Sequence, residues 1–180
     1  MKVQGNGQAK VLTAAELALL FGEGLTTPRD RLLFGVCLFT GCRISEALGL
    51  RGEDVGTEVI TFRRGMTKGK LMTREVGISL GLRGLLGEYE GGKVWLFPGM
   101  RGHLSRFMAD QILRGACERV GLRGVSTHSF RRTALTQMHN AGVPLRHIQE
   151  ISGHRSLATL QRYLEVSSEQ KERAVSVIGW

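Results

Sequence analysis

The chain has 180 residues, 42% of them hydrophobic, and 25 Lys and Arg against 16 Asp and Glu give a formal net charge of +9. A chain this long can bury a core of its own, so it needs no disulfide or metal staple. Its three cysteines, Cys37, Cys42 and Cys117, fit neither a disulfide framework nor a zinc module and suit small buried hydrophobes in a reducing compartment.

Met1 to Lys10 is polar and lacks a signal-peptide core. No apolar run anywhere approaches the roughly 20 residues that span a bilayer, and the expectation is a soluble, intracellular protein. Thr13-Ala-Ala-Glu16 has capping-box spacing and opens a short apolar helix closed by Gly22 and Gly24. Thr27-Pro28 starts a second helix, with Asp30 in its first turn. It runs through Leu32, Leu33, Val36, Cys37 and Phe39, all expected to be deeply buried, and stops at Gly41. Arg43 to Leu50 reads as a short helix. Residues 58–64 and 73–79 read as a hairpin around the polar turn Met66-Thr-Lys-Gly-Lys70. A helix follows from about Leu82 to Tyr89, and Gly91-Gly92 and Pro98-Gly99 mark loops. Leu104 to Val120 is a helix with Leu104, Phe107, Met108, Ile112, Ala116 and Val120 on its inner stripe. His128 to Asn140, Pro144 to Gly153, Ser156 to Leu164 and Ser167 to Ile178 complete a helical second half. No repeat or linker divides the chain. The expected fold class is mainly α with a small antiparallel β-sheet (α+β): residues 1–10 a flexible segment and 11–180 one domain.

The net charge points toward a phosphate-rich partner, because Lys and Arg that displace counterions supply most non-specific DNA affinity. Charge alone also fits a merely soluble basic protein. His128-Ser-Phe-Arg131 places an imidazole and a guanidinium on one helix face. Gly153-His154 sits at a helix end, and Tyr163 follows nine residues after His154. Taken singly, each of these is more often structural than functional.

As an ordered set they carry more. Thr40-Gly-Cys-Arg43-Ile-Ser-Glu46-Ala-Leu resembles the first arginine box of the tyrosine recombinase (phage integrase) family. Thr67-Lys68-Gly-Lys70 resembles its catalytic-lysine turn, and Thr127-His128-Ser-Phe-Arg131-Arg-Thr its HxxR box. Ile151-Ser-Gly-His154 and Thr159-Leu-Gln-Arg-Tyr163 resemble its Leu-Gly-His box and nucleophile segment. The order matches, and so do the spacings of 23 residues from Arg131 to His154 and 9 from His154 to Tyr163. The resemblance runs from about Val11 to Lys171, and it implies that fold and a site-specific DNA recombinase.

The chemistry suits the residue types. A phosphodiester under attack by a phenol gains negative charge, which two guanidiniums, Arg43 and Arg131, can hold in fork geometry. His154 is a second donor to the same phosphate. The phenol of Tyr163, with an ordinary pKa of about 10, needs a base, which the resemblance assigns to His128. Lys68 protonates the departing 5′ oxygen, with Lys70 as the alternative. The strand is then held as a 3′-phosphotyrosine, with no metal, ATP or other cofactor required. Glu46, one helical turn after Arg43, braces it. Lys70, Arg132 and Arg155 are expected at the DNA, Arg132 alternatively as a salt-bridge partner. His103, His139 and His147 read as surface or packing residues.

The partner the resemblance implies is double-stranded DNA, with no membrane. It also implies self-association on DNA through the C-terminal helix, where Val175, Ile178 and Trp180 alternatively pack on their own domain. Family members carry an N-terminal helical clamp on the other face of DNA, whereas only about 10 residues stand before the matched region here, so modest affinity and a steep salt dependence are expected. Two other classes stay open: a non-catalytic DNA-binding regulator on the same fold, and a type IB topoisomerase-like enzyme. A metal-dependent nuclease is more distant.

Overall fold

The computed structural model describes residues 9–66, 73–161 and 168–178. The chain opens with α1 (Ala14–Leu19), where the Thr13 and Glu16 side chains cap each other's backbone N–H groups in a reciprocal box. A wider π turn, Leu20–Gly24, extends it. Helix α2 (Pro28–Thr40) follows, capped by the Thr27 hydroxyl and started by Pro28. It is buried on nearly every face, with Leu32, Leu33, Phe34, Val36 and Cys37 all inaccessible, and it forms the axis of the domain. All three cysteines are free and buried.

Phe39 departs from expectation: it is 36% exposed and lies on the wall of an apolar groove with Leu17, Phe21, Leu85 and Met138. A helix can be central at its middle and still emerge at its last turn, and sequence periodicity does not register where its neighbours end. After Gly41 comes α3 (Ile44–Leu48). Strands β1 (Val59–Phe62) and β2 (Arg74–Gly77) pair antiparallel, Val59 opposite Gly77 and Phe62 opposite Arg74. Alternation along β1 sends Ile60 and Phe62 into the core.

Helix α4 (Leu80–Gly87) begins at Ser79, whose hydroxyl caps Leu82 N–H. That cap moves the start two residues upstream of where the apolar pattern alone puts it. Pro98–Gly99 (β3), expected as loop, pairs with Gly102–His103 (β4) in a minimal hairpin.

Helix α5 (Arg106–Arg119) corrects the expected stripe. Its inner face is Ala109, Leu113, Ala116 and Cys117, while Phe107 and Met108 are 68% and 45% exposed. Small residues let α5 lie close against the π turn, where the Ala116 carbonyl comes within 3.0 Å of the position a Cβ would take on Gly24. Leu104 and Ala116 are buried and Ile112 and Val120 pack partly against the core as expected, so the departure is confined to Phe107 and Met108.

Helix α6 (Thr127–Asn140) packs on α2, with Phe130 stacked on Phe34 at 5.0 Å between ring centroids and edge-on to Phe21 at 6.2 Å. Helices α7 (Leu145–Ser152) and α8 (Leu157–Gln161) join α6 through a second cluster of Leu135, Ile148 and Leu160. The last described element is α9 (Ser168–Ser176). Among the described residues no helix is long and apolar enough to cross a membrane.

Candidate active site

Two left-handed glycines set the backbone on which the site is built. Gly41 (φ 62°) ends α2 and turns the chain so that Arg43 stands at the N-cap of α3, and Gly153 (φ 65°) ends α7 and turns out His154. Such φ values cost an L-residue about 1–2 kcal/mol and cost glycine nothing.

Arg131 enters from α6 and is 2% exposed. Its Nη1 donates to the Gly41 carbonyl at 2.7 Å and the Ser152 carbonyl at 2.9 Å, so one side chain ties together the two glycine turns. Its Nη2 lies 2.9 Å from Nε2 of His154 and 3.2 Å from Nδ1. The Ser152 hydroxyl sits 2.7 Å from His154 Nδ1 and 3.3 Å from the Gln149 carbonyl. A guanidinium only donates, so His154 accepts at Nε2 while Nδ1–H bonds to Ser152, whose own proton goes to Gln149. Burial, then the charges of Arg131, Arg43 and Arg74, push His154 down to a pKa of about 3. The ring is therefore neutral at working pH. In this arrangement it accepts from Arg131, where the sequence suggested a donor to phosphate.

Glu46 lies beneath these groups with no exposed surface. One carboxylate oxygen takes the Arg43 backbone N–H at 2.7 Å, and the Arg43 guanidinium lies 3.6 Å from the other. The Arg131 guanidinium is 4.0 Å away. Arg74, on β2, reaches both oxygens, Nη1 at 3.0 Å and Nη2 at 3.1 Å, and donates from Nε to the Ile151 carbonyl at 3.0 Å. Its guanidinium stacks over Phe62 at 4.4 Å. A buried carboxylate needs charged partners in good geometry, and Glu46 gathers three arginines from α3, β2 and α6.

Sequence reasoning missed Arg74, because the signal it used on β2 was alternation, and an inward-pointing arginine in a strand reads as a polar face. Arg43 itself is half-buried, and one of its terminal nitrogens, Nη1, is enclosed without a hydrogen bond among the described residues. His128, at the N-terminal end of α6, is exposed at its residue surface. Its pKa is lowered by partial burial and then by the charges of Arg106, Arg131 and Arg43, so it too is held neutral.

Arg132 differs from its expected place at the DNA. It is 8% exposed and donates to the Ala9 carbonyl at 2.6 Å, which turns it toward the N-terminal segment. The residue after Arg131 on a helix points roughly 100° away from it, and here that direction is inward. Arg155 is exposed and lines an open cleft of about 480 Å³ with Arg74, Arg146, Gln149 and His154. Lys68, Lys70 and Tyr163 lie outside the described residues. Among the described residues no group of three His, Cys, Asp or Glu side chains is placed to hold a metal ion.

A mainly helical domain with small antiparallel strand pairs is the fold of tyrosine recombinase catalytic domains. The chain belongs to the phage integrase family, whose sequence profile matches residues 10–170. It is 33% identical over 174 residues to tyrosine recombinase XerC of Rhodospirillum centenum, an alignment covering 88% of this chain and 50% of that protein. Among solved structures it is similar to XerH site-specific recombinase bound to a palindromic difH substrate, at 25% identity and a TM-score of 0.75, covering 97% of this chain and 54% of that one. The catalytic domain of bacteriophage HP1 integrase shares its fold, with 24% identity and a TM-score of 0.68, over 94% of this chain and 95% of that one. The chain spans about half the length of the curated relatives it matches.

Proposed function

We propose that this chain cleaves and rejoins DNA strands at specific sites, with Tyr163 forming a covalent 3′-phosphotyrosine. The observation that carries the reading is the gathering of Arg43 and Arg131, from segments far apart in sequence, around the buried Glu46, with His154 bonded to Arg131 and lining the open cleft beside them. Arg43 Nη1, enclosed and 3.6 Å from Glu46, makes no hydrogen bond among the described residues, which leaves a donor for a phosphate oxygen.

Arg43 and Arg131 hold the non-bridging oxygens of the scissile phosphate and stabilise the charge that grows there. The phosphate replaces His154 as partner of Arg131 Nη2, which frees the imidazole for a new bond in the same cleft. His128, neutral because of its burial and three cationic neighbours, can take the phenol proton of Tyr163. Lys68, or Lys70 beside it, protonates the 5′ oxygen as it leaves. The phosphodiester bond energy is kept in the tyrosyl ester, and attack by a 5′ hydroxyl reverses the step. Arg155 at the cleft mouth and Lys70 contact neighbouring phosphates. Assembly on DNA runs through α9, whose end presents Val175, Val177 and Ile178 at 67%, 79% and 83% exposure. Residues 11–180 form the unit that does this.

The test is covalent capture. Duplexes with one nick and randomised arms are incubated with the chain in EDTA, and SDS-resistant protein–DNA adducts are recovered and sequenced. The expected result is an enriched site and a band that Tyr163→Phe abolishes while DNA binding persists. Binding without any adduct, on every recovered sequence, would instead support a binding-only domain. Relaxation of supercoiled plasmid without an enriched site would mark topoisomerase-like activity.

A further inference from the structure

We propose that Arg74 is a positioning residue that fixes Arg43 and His154 relative to each other. This rests on the reading above, in which those two side chains act on the scissile phosphate.

Arg74 has its fork closed on both oxygens of Glu46, its Nε on the Ile151 carbonyl, and its flat face on Phe62. Its side chain is only 10% exposed. Each of these contacts leads to a different part of the site. The Glu46 carboxylate carries the Arg43 backbone N–H and lies beside the Arg43 guanidinium. Without Arg74 that carboxylate keeps the Arg43 backbone N–H and two more distant guanidiniums, none of which grips both oxygens at hydrogen-bond distance; a bidentate guanidinium sets its plane.

The Ile151 carbonyl stands just before Ser152, Gly153 and His154, so the Nε bond anchors the turn from which the imidazole projects. The Gly153 backbone lies directly on the guanidinium: a Cβ there would be 3.1 Å from Arg74 Nη1 and 3.3 Å from its Cζ. Phe62, 0% exposed in the core, holds the plane from beneath. Arg74 thus joins the N-terminus of α3 to the C-terminus of α7 through a strand that carries neither Arg43 nor His154. Lysine has the charge but only a point-like ammonium, and it cannot close a fork, bond a carbonyl and stack at once.

The experiment uses the full chain and the nicked duplex enriched by the capture described above. Single-turnover adduct formation at saturating protein, DNA affinity, and thermal unfolding are measured for wild type, Arg74→Lys, Arg74→Ala, Glu46→Gln and the Arg74→Ala/Glu46→Gln double variant. The expected result for Arg74→Lys is a cleavage rate down by about tenfold or more, with affinity within about threefold and a folded protein. The double variant is expected to be no slower than its slower parent, because both changes break one linkage.

Should Arg74→Ala fail to fold, Arg74→Lys and its own double with Glu46→Gln carry the same comparison. A rate within about twofold of wild type, a loss confined to affinity or melting temperature, or multiplicative losses in the double variant would overturn the assignment. Absence of an adduct in the wild type itself would remove the recombinase reading, and Arg74's role with it. An active wild type with an equally fast Arg74→Lys removes only the latter.

Discussion

Lowering the pH should destabilise this protein through His154 by an amount that can be worked out in advance. The folded imidazole, 6% exposed and facing three guanidiniums, titrates at about 3, and an unfolded one near 6.5. Between those values the unfolded chain holds a proton that the folded chain refuses. Stability therefore rises with pH across this window, is fully present above about 6.5, and is lost as pH falls toward 3. From roughly pH 8 to pH 5 this single group should remove about 2 kcal/mol of folding free energy. His128, lowered for similar reasons, adds to the loss with the same sign. Urea unfolding followed by circular dichroism at several pH values, on wild type and His154→Gln, isolates the share of His154. The loss between the two pH limits should be about 2 kcal/mol smaller in the variant. Parallel stability curves for the two proteins would refute the claim that His154 is held neutral by burial and by its arginine neighbours.

Other outcomes follow from how differently the site residues are buried. Arg131→Ala leaves the Gly41 and Ser152 carbonyls without their donor and should cost about 3 kcal/mol of stability, read in urea, besides its effect on cleavage. Arg43→Ala, half-exposed, should cost about 1 kcal/mol or less of stability but about 3–4 kcal/mol in the cleavage rate constant. Gly153→Ala should destabilise more than Gly41→Ala, since both impose left-handed strain but only the former presses a methyl against Arg74; a Cβ at Gly41 meets its nearest neighbour at an ordinary 3.5 Å. Val175→Asp with Ile178→Asp should leave the monomer's melting temperature unchanged and abolish cooperative binding to two-site DNA in gel shifts.

The candidate site was legible in part because its chemistry is written in short motifs. Arg43, His128, Arg131 and His154 each stand at or near a helix start or a glycine stop, and caps are local: Thr27 with Pro28, Gly41, and Gly153 fixed where the backbone turns. What the motifs did not separate was load. Arg43 and Arg131 look equivalent in sequence, yet one is half-exposed and the other is 2% exposed and spans two turns.

Local signals determined the helices and the β1–β2 pair, because capping, glycine stops and period-two alternation act within a few residues, while the candidate functional residues came from the order and spacing of motifs along the whole chain. Tertiary structure decided everything that depends on which neighbour fills a space. It chose the Ala109–Leu113–Ala116 face of α5 over the larger Phe107 and Met108, turned Arg132 inward, and brought Arg74 across from β2 to Glu46. The reason is common to all three: burial of a side chain is settled by the distance of closest approach between elements, and a buried charge by the partners it finds there. Neither quantity is a property of the residue's own segment.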